Sequence, residues 1–335
     1  MEIVPGEYLP QLQPCDSRYF VRILQHVDEL LADEGMTLVL TWPVDAFHPV
    51  MKDAIVLLVG DERYQIPSYL HQVRAIFKSG GLRPNPIGQT WRLPLPIASR
   101  CLLRDARNAC IRFRRLLEYG PTGNGTTPLY EIPLGYYALV ECDPPPIEQR
   151  PVAVFFGGSL AARGWSLRPS VAARRQMTAA LAAARREMPQ YRIESVSQHR
   201  TPGSAFGLGP EAYTQALANA RVALAPRGNF DETYRLIEAA RLGCVVVSEP
   251  LPPRWYYQGC PAVILEKWSE LPGILKGLLN DPERLQDLSA RGRQWWDSTI
   301  SEPSIAKFIA ERIPGSRRST EVAANGRDNT CAGHD

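Results

Sequence analysis

Residues 221–248 read RVALAPRGNFDETYRLIEAARLGCVVVS, and this stretch decides the fold. Val222 to Ala225 is a short apolar run, and Pro226-Arg227-Gly228-Asn229 is a turn. Asp231 to Leu242 repeats its apolar residues at helical spacing, and Cys244 to Val247 is a second apolar run without alternation, as in a strand buried on both faces. Strand, turn, helix and strand together are the grammar of a parallel α/β sheet. Asn229 or Asp231 stands where it can cap the helix. A helix that starts at the carboxyl edge of such a sheet turns free backbone N–H groups and its positive dipole end toward that edge. Anions are favoured there by roughly 0.3–1 kcal/mol per charge. Arg235 and Glu238 are three apart and share a helical face. As a bare ion pair they contribute about a few tenths of a kcal/mol. Beside an anion site they suit a nucleotide, since Arg neutralises a diphosphate and a carboxylate accepts from both ribose hydroxyls.

The same grammar continues outward. Val152 to Phe156 predicts a buried strand leading into Gly157-Gly158-Ser159, where small residues admit a phosphate to the backbone or make an ordinary tight turn. Arg163, Arg168 and Arg174 follow, and one of them is expected to reach the diphosphate. Further helices are expected over 172–188, 210–220, 271–279, 282–298 and 303–313, and strands over 191–196 and 262–265. Upstream, the pattern predicts a helix over 17–32, strands over 36–42 and 54–59, and a helix opened by Pro67 and running to Lys78. The Pro-rich stretch 82–98 has no period, Ser99 begins a helix to Tyr119, and a short strand ends at Ile132-Pro133-Leu134-Gly135-Tyr136. Glu141 to Arg150, with Pro144 to Pro146 inside it, reads as the linker.

A chain of 335 residues exceeds one core, and 44% hydrophobic residues supply two. The expected organisation is an α/β acceptor-side unit over 1–147, a donor-binding unit over 148–301, a helix over 302–313 that crosses back to the first unit, and a disordered tail over 314–335. A net charge of +3, with no basic stripe interleaved with aromatics, argues against nucleic acid. The 7 cysteines are scattered with no C-x-x-C pair, so neither a zinc site nor a disulfide framework is expected. Without a secretory signal in Met1 to Pro10 or an apolar stretch of spanning length, the expectation is a cytoplasmic protein, with peripheral attachment to a membrane face left open.

Taken whole, residues 213–248 resemble the donor-binding signature of exostosin-type glycosyltransferases: Pro226-Arg227-Gly228, a short polar turn including Asn229, then Thr233-Tyr234-Arg235-Leu236, Glu238-Ala239, and Gly243-Cys244 before an apolar strand. Phe155-Phe156-Gly157-Gly158-Ser159 looks like the family's first donor-side strand and loop. Ile132 to Tyr136 and Gly60-Asp61-Glu62 look like segments of the acceptor-side unit. Ala220 departs from a common Ser, and Val246 from a common Pro. The resemblance implies the GT-B fold, two Rossmann-like units facing across a cleft. It further implies an inverting, metal-independent hexosyl- or pentosyltransferase that takes a UDP- or GDP-sugar to a hydroxyl of a glycan, lipid or small molecule. It implies no bound cofactor or metal, and no convincing Asp-x-Asp motif is present.

The inverting reaction needs a general base. Asp61 and Glu62 follow a predicted strand and are its expected carriers, with Asp45 and His48 as competitors. His71 and His199 are expected to be structural. Trp255, Tyr256 and Tyr257 either stack on a ligand or form a packed corner. Two other readings remain for the same residues. One is a nucleotide-sugar- or glycan-binding protein that has lost its base, and the other is a retaining transferase or an epimerase of the same fold.

Overall fold

The computed structural model describes residues 4–5, 14–32, 34–42, 44, 52–59, 65–82, 93, 95–119, 127–137, 139–158, 168–196, 208–228 and 231–315. The chain divides into two compact units: one takes 1–83, 108–133 and 301–335, the other 84–107 and 134–300. Each holds a five-stranded sheet in which every pairing is parallel.

In the first unit the elements run β1 (Val4–Pro5), α1 (Pro14–Leu30), β2 (Thr37–Thr41), β3 (Ala54–Leu58), β4 (Ala75–Ser79), the later part of α2 (Leu95–Tyr119) and β5 (Leu129–Ile132). The sheet order follows the chain, β1 through β5. The strand β4 corrects the helix expected over Pro67 to Lys78. Only a short 3-10 turn, Leu70–Gln72, forms there, with His71 exposed on it. Ala75, Ile76 and Phe77 are buried without alternation, as a central parallel strand requires. The Lys78 charge is accommodated inside, because Nζ donates to the Gly81 carbonyl at 2.6 Å. Gly80 and Gly81, with φ of 79° and 86°, fold the chain back to present that carbonyl. The last helix, α8 (Glu302–Arg312), belongs to this unit and packs on α1. Its Phe308 ring meets Phe77 and Tyr130 edge-on, each at 6.4 Å. Ser99 lies within α2 and bonds the Pro96 carbonyl, so it does not cap the helix.

The second unit runs β6 (Val152–Gly157), α3 (Pro169–Glu187), β7 (Ile193–Val196), α4 (Pro210–Ala218), β8 (Ala220–Ala225), α5 (Tyr234–Arg241), β9 (Val245–Ser248), β10 (Val263–Ile264), α6 (Leu271–Leu279) and α7 (Pro282–Trp295). The sheet order is β10-β9-β8-β6-β7. Chain order therefore reverses between β6 and β8. In open α/β sheets a crevice opens at such a switch point, beyond the carboxyl ends of the two strands. Val154, Phe156, Val222, Leu224, Val245 and Val247 share one sheet face and form a core with α3 and α6.

Glu141 to Arg150 is packed structure and does not behave as the expected linker. Arg150 is buried at the start of β6, and its guanidinium donates to the carbonyls of Pro145, Ala220 and Leu242 at 3.0, 2.8 and 2.7 Å. The second unit begins earlier than 148 for the same kind of reason. The Tyr136 ring lies under Arg241, 4.4 Å from centroid to guanidinium, and the Val140 N–H donates to Thr214 Oγ1 at 3.1 Å. Arg150→Met keeps the volume and removes the donors. It is expected to lower unfolding stability by about 2–4 kcal/mol, because buried carbonyls lose their partner. Chemical denaturation checks this, with the midpoint moving down at unchanged slope.

Candidate functional site

At the β6/β8 switch point Gly157-Gly158 end β6, and Pro226 to Gly228 follow β8. Both glycines are dictated by side chains from the helices. A Cβ on Gly157 would lie 2.7 Å from the Tyr213 ring, and one on Gly158 would lie 2.2 Å from Arg235 Nη2. Arg235, in the first turn of α5, reaches back over the end of β6. Its Nε donates to the Gly157 carbonyl, Nη1 lies 3.4 Å from Thr233 Oγ1, and the guanidinium sits 5.4 Å from the Phe156 ring centroid.

Arg174 of α3 joins it. Burial, and then the charge of the neighbouring Arg235, push the Arg174 guanidinium down to about 10. The half-buried Arg174 and the buried Arg235 thus feel each other's charge, a repulsion that an oxyanion would relieve. The start of α5 is beside them, and its N-cap, Thr233, makes no side-chain capping bond. The positive end of the helix dipole adds to the field of the arginines. Of the expected arginines that lie among the described residues, Arg174 feels the charge of Arg235. Arg168 is exposed before α3, and Arg163 lies outside the described residues.

Glu238 shares the buried side of α5 but turns its carboxylate inward. It is 0% exposed. Oε2 accepts from the Tyr213 hydroxyl at 2.7 Å, and Oε1 from the Tyr137 backbone N–H at 2.9 Å. Burial and the Glu238 charge hold the Tyr213 phenol well above its ordinary pKa, so it stays a donor. The Tyr137 ring meets Tyr234 at 5.7 Å. Glu238 therefore ties α5 to α4 and to the segment after β5.

The turn before α5 is stiffened by buried ion pairs. Asp231 does not cap the helix, which starts only at Tyr234. Its carboxylate instead holds Arg227 at 2.7 Å, with both side chains buried. Burial lifts the Asp231 pKa, and the Arg227 charge pulls it back. The Arg227 N–H donates to Glu249 Oε2 at 2.9 Å, and the Gly228 N–H to the Glu232 carbonyl at 3.2 Å. Glu232 in turn pairs with Arg254 and accepts from the Tyr256 hydroxyl at 2.7 Å. Residue spacing showed none of the Arg254 partnership, because Arg254 arrives from a loop after β9.

Tyr256 and Tyr257 form a packed corner with Trp295, whose Nε1 donates to the Tyr256 carbonyl at 3.0 Å. Asp45, His48, Asp61, Glu62, Ser159, His199 and Asn229 lie outside the described residues.

No protein-family model matches the chain, and no curated protein matches it. Solved structures do. The GtfA/B complex is similar at 12% identity over 83% of this chain with a TM-score of 0.44, and the chain spans only 58% of that one. A sucrose-phosphate synthase from Thermosynechococcus elongatus is similar at 13% identity, covering 96% of this chain and 83% of its own, with a TM-score of 0.44. HepE from Anabaena, in complex with UDP, is similar at 11% identity, covering 82% and 98%, with a TM-score of 0.41. Likeness at this level establishes no kinship and assigns no activity.

Glu238→Ala removes the carboxylate that accepts from the buried Tyr213 hydroxyl and the part-buried Tyr137 N–H. A loss of about 2–4 kcal/mol is expected, with Glu238→Gln losing less because an acceptor oxygen remains. Urea unfolding of the two variants beside wild type measures the order.

Proposed function

We propose that the chain is a glycosyltransferase that moves a sugar from a UDP- or GDP-sugar to a hydroxyl acceptor, with inversion and without a metal. The observation that carries this reading is Arg235, buried over Gly158 between the end of β6 and the start of α5, with the half-buried Arg174 of α3 near enough to feel its charge. A diphosphate set there would accept from both guanidiniums and from α5 backbone N–H groups. As the sugar–phosphate bond breaks, negative charge grows on the leaving diphosphate. Fixed cations stabilise that charge more than they stabilise the intact donor, which is how such a site accelerates transfer.

In this reading Thr233 and Tyr234 line the α5 end of the donor site, with Gly228 at the turn. Arg227 acts indirectly. Its Nη2 is held by Asp231, which keeps the turn in shape, while Nε and Nη1 are buried without a hydrogen-bond partner among the described residues. Glu238 is fully buried against Tyr213 and Tyr137, so it can accept from a ribose only if the segment around Tyr137 moves aside. Donor binding and movement of the segment after β5 are then coupled. Asp61 or Glu62 is the proposed base that takes the acceptor proton. The likeness to a protein seen with bound UDP supports a uridine nucleotide as the first donor to try.

Calorimetric titration with UDP and GDP tests the site. Arg174→Ala and Arg235→Ala are each expected to weaken binding by on the order of ten- to a hundredfold, the worth of one charge-assisted contact. Gly158→Ala is expected to act the same way by displacing Arg235, with the fold retained because a flexible side chain gives way. Unchanged affinity in all of them would remove the assignment. The anomer released from a UDP-sugar, followed by NMR, decides inversion.

A further inference from the structure

The large apolar side chains that lie open to solvent gather on one helix. Leu95, Leu102, Leu103, Phe113 and Leu117 are 82%, 49%, 72%, 64% and 69% exposed, and all belong to α2. Among the described residues only Ile264, at 41%, joins them from elsewhere. Leu95, Leu102, Ala106, Phe113 and Leu117 follow one another in steps of seven, four, seven and four residues. At 3.6 residues per turn those steps keep them on one line along the helix. Leu103 and the exposed Cys110 widen the stripe on one side. Ile97, Cys101, Asp105 and Asn108 occupy the opposite, buried side, where Ile97 and Cys101 pack with Ala172. The helix therefore has an apolar face inward and a second one outward. A water-exposed helix surface has no use for the second face unless something covers it.

The charge beside the stripe says what covers it. Arg100, Arg107 and Arg114 are seven apart, form a row next to Leu103 and Cys110, and are all exposed. We propose that this face of α2 lies on a membrane surface that carries anionic lipids. An apolar stripe sinks among the acyl chains, and arginines on its flank extend along their stems to lipid phosphates. No described helix is long and apolar enough to cross a membrane, so the contact is along the surface. Between Leu95 and Leu117 the one acidic residue of α2, Asp105, is turned inward, so the same stretch of a second copy offers the arginines no carboxylate.

Vesicle flotation with the full chain tests this. Wild type is expected to float with vesicles of equal phosphatidylcholine and phosphatidylglycerol, and to be released by raised salt. Binding to phosphatidylcholine alone is expected to be on the order of tenfold weaker. Leu103→Glu with Phe113→Glu, both exposed and therefore harmless to the fold, should abolish flotation. Arg100→Glu with Arg107→Glu should abolish the preference for phosphatidylglycerol. Circular dichroism of each variant confirms an intact fold. Absence of wild-type flotation, or flotation untouched by both double variants, overturns the proposal. So does a dimer in sedimentation that Leu103→Glu with Phe113→Glu dissolves, which would make the stripe an interface between copies.

Discussion

The second unit is arranged around the Arg235 guanidinium lying across Gly157-Gly158. Its bond to the Gly157 carbonyl joins the first turn of α5 to the end of β6, across the point where the sheet reverses. No residue larger than glycine fits at 158 while Arg235 stays there. Arg174, half-buried on α3, is near enough to feel the Arg235 charge, and the two cations disfavour each other. An anion bound between them, as proposed, would relieve that repulsion. One contact therefore explains the glycines, and the proposed anion site is built on it.

The neighbouring interactions keep that contact rigid. Arg227–Asp231 and Glu232–Arg254 pin both sides of the turn that launches α5. Buried pairs of this kind add little net stability, because desolvation offsets their attraction. What they fix is position, which a site for a developing charge needs most. Glu238 performs the same service on the other side of α5, holding Tyr213 and Tyr137.

Much of this was legible in the sequence. The strands of 221–248 and the buried strand ending in two glycines are set by local periodicity and by glycine chemistry and stand where expected, while the helix between Asp231 and Leu242 starts only at Tyr234. Periodicity also put Arg235 and Glu238 on one side of α5. It could not tell that Glu238 would turn to partners in α4 and after β5, because those partners are distant in sequence. The same limit hid the Asp231–Arg227 pair, since a short acidic residue before a helix has an equally good local use as a cap. At β4, Pro67 gave a true start signal for a helix, but tertiary pairing of the Ala75–Ser79 run with β3 and β5 won. The prolines before Arg150 suggested a linker, and the three carbonyls gathered by its guanidinium lie outside any local pattern.

The most direct test is a crystal structure of the protein with a nucleoside diphosphate bound. The account predicts the diphosphate between Arg174 and Arg235, over Gly158 and against the first N–H groups of α5. A diphosphate bound elsewhere, with Arg174 and Arg235 unchanged, would contradict it.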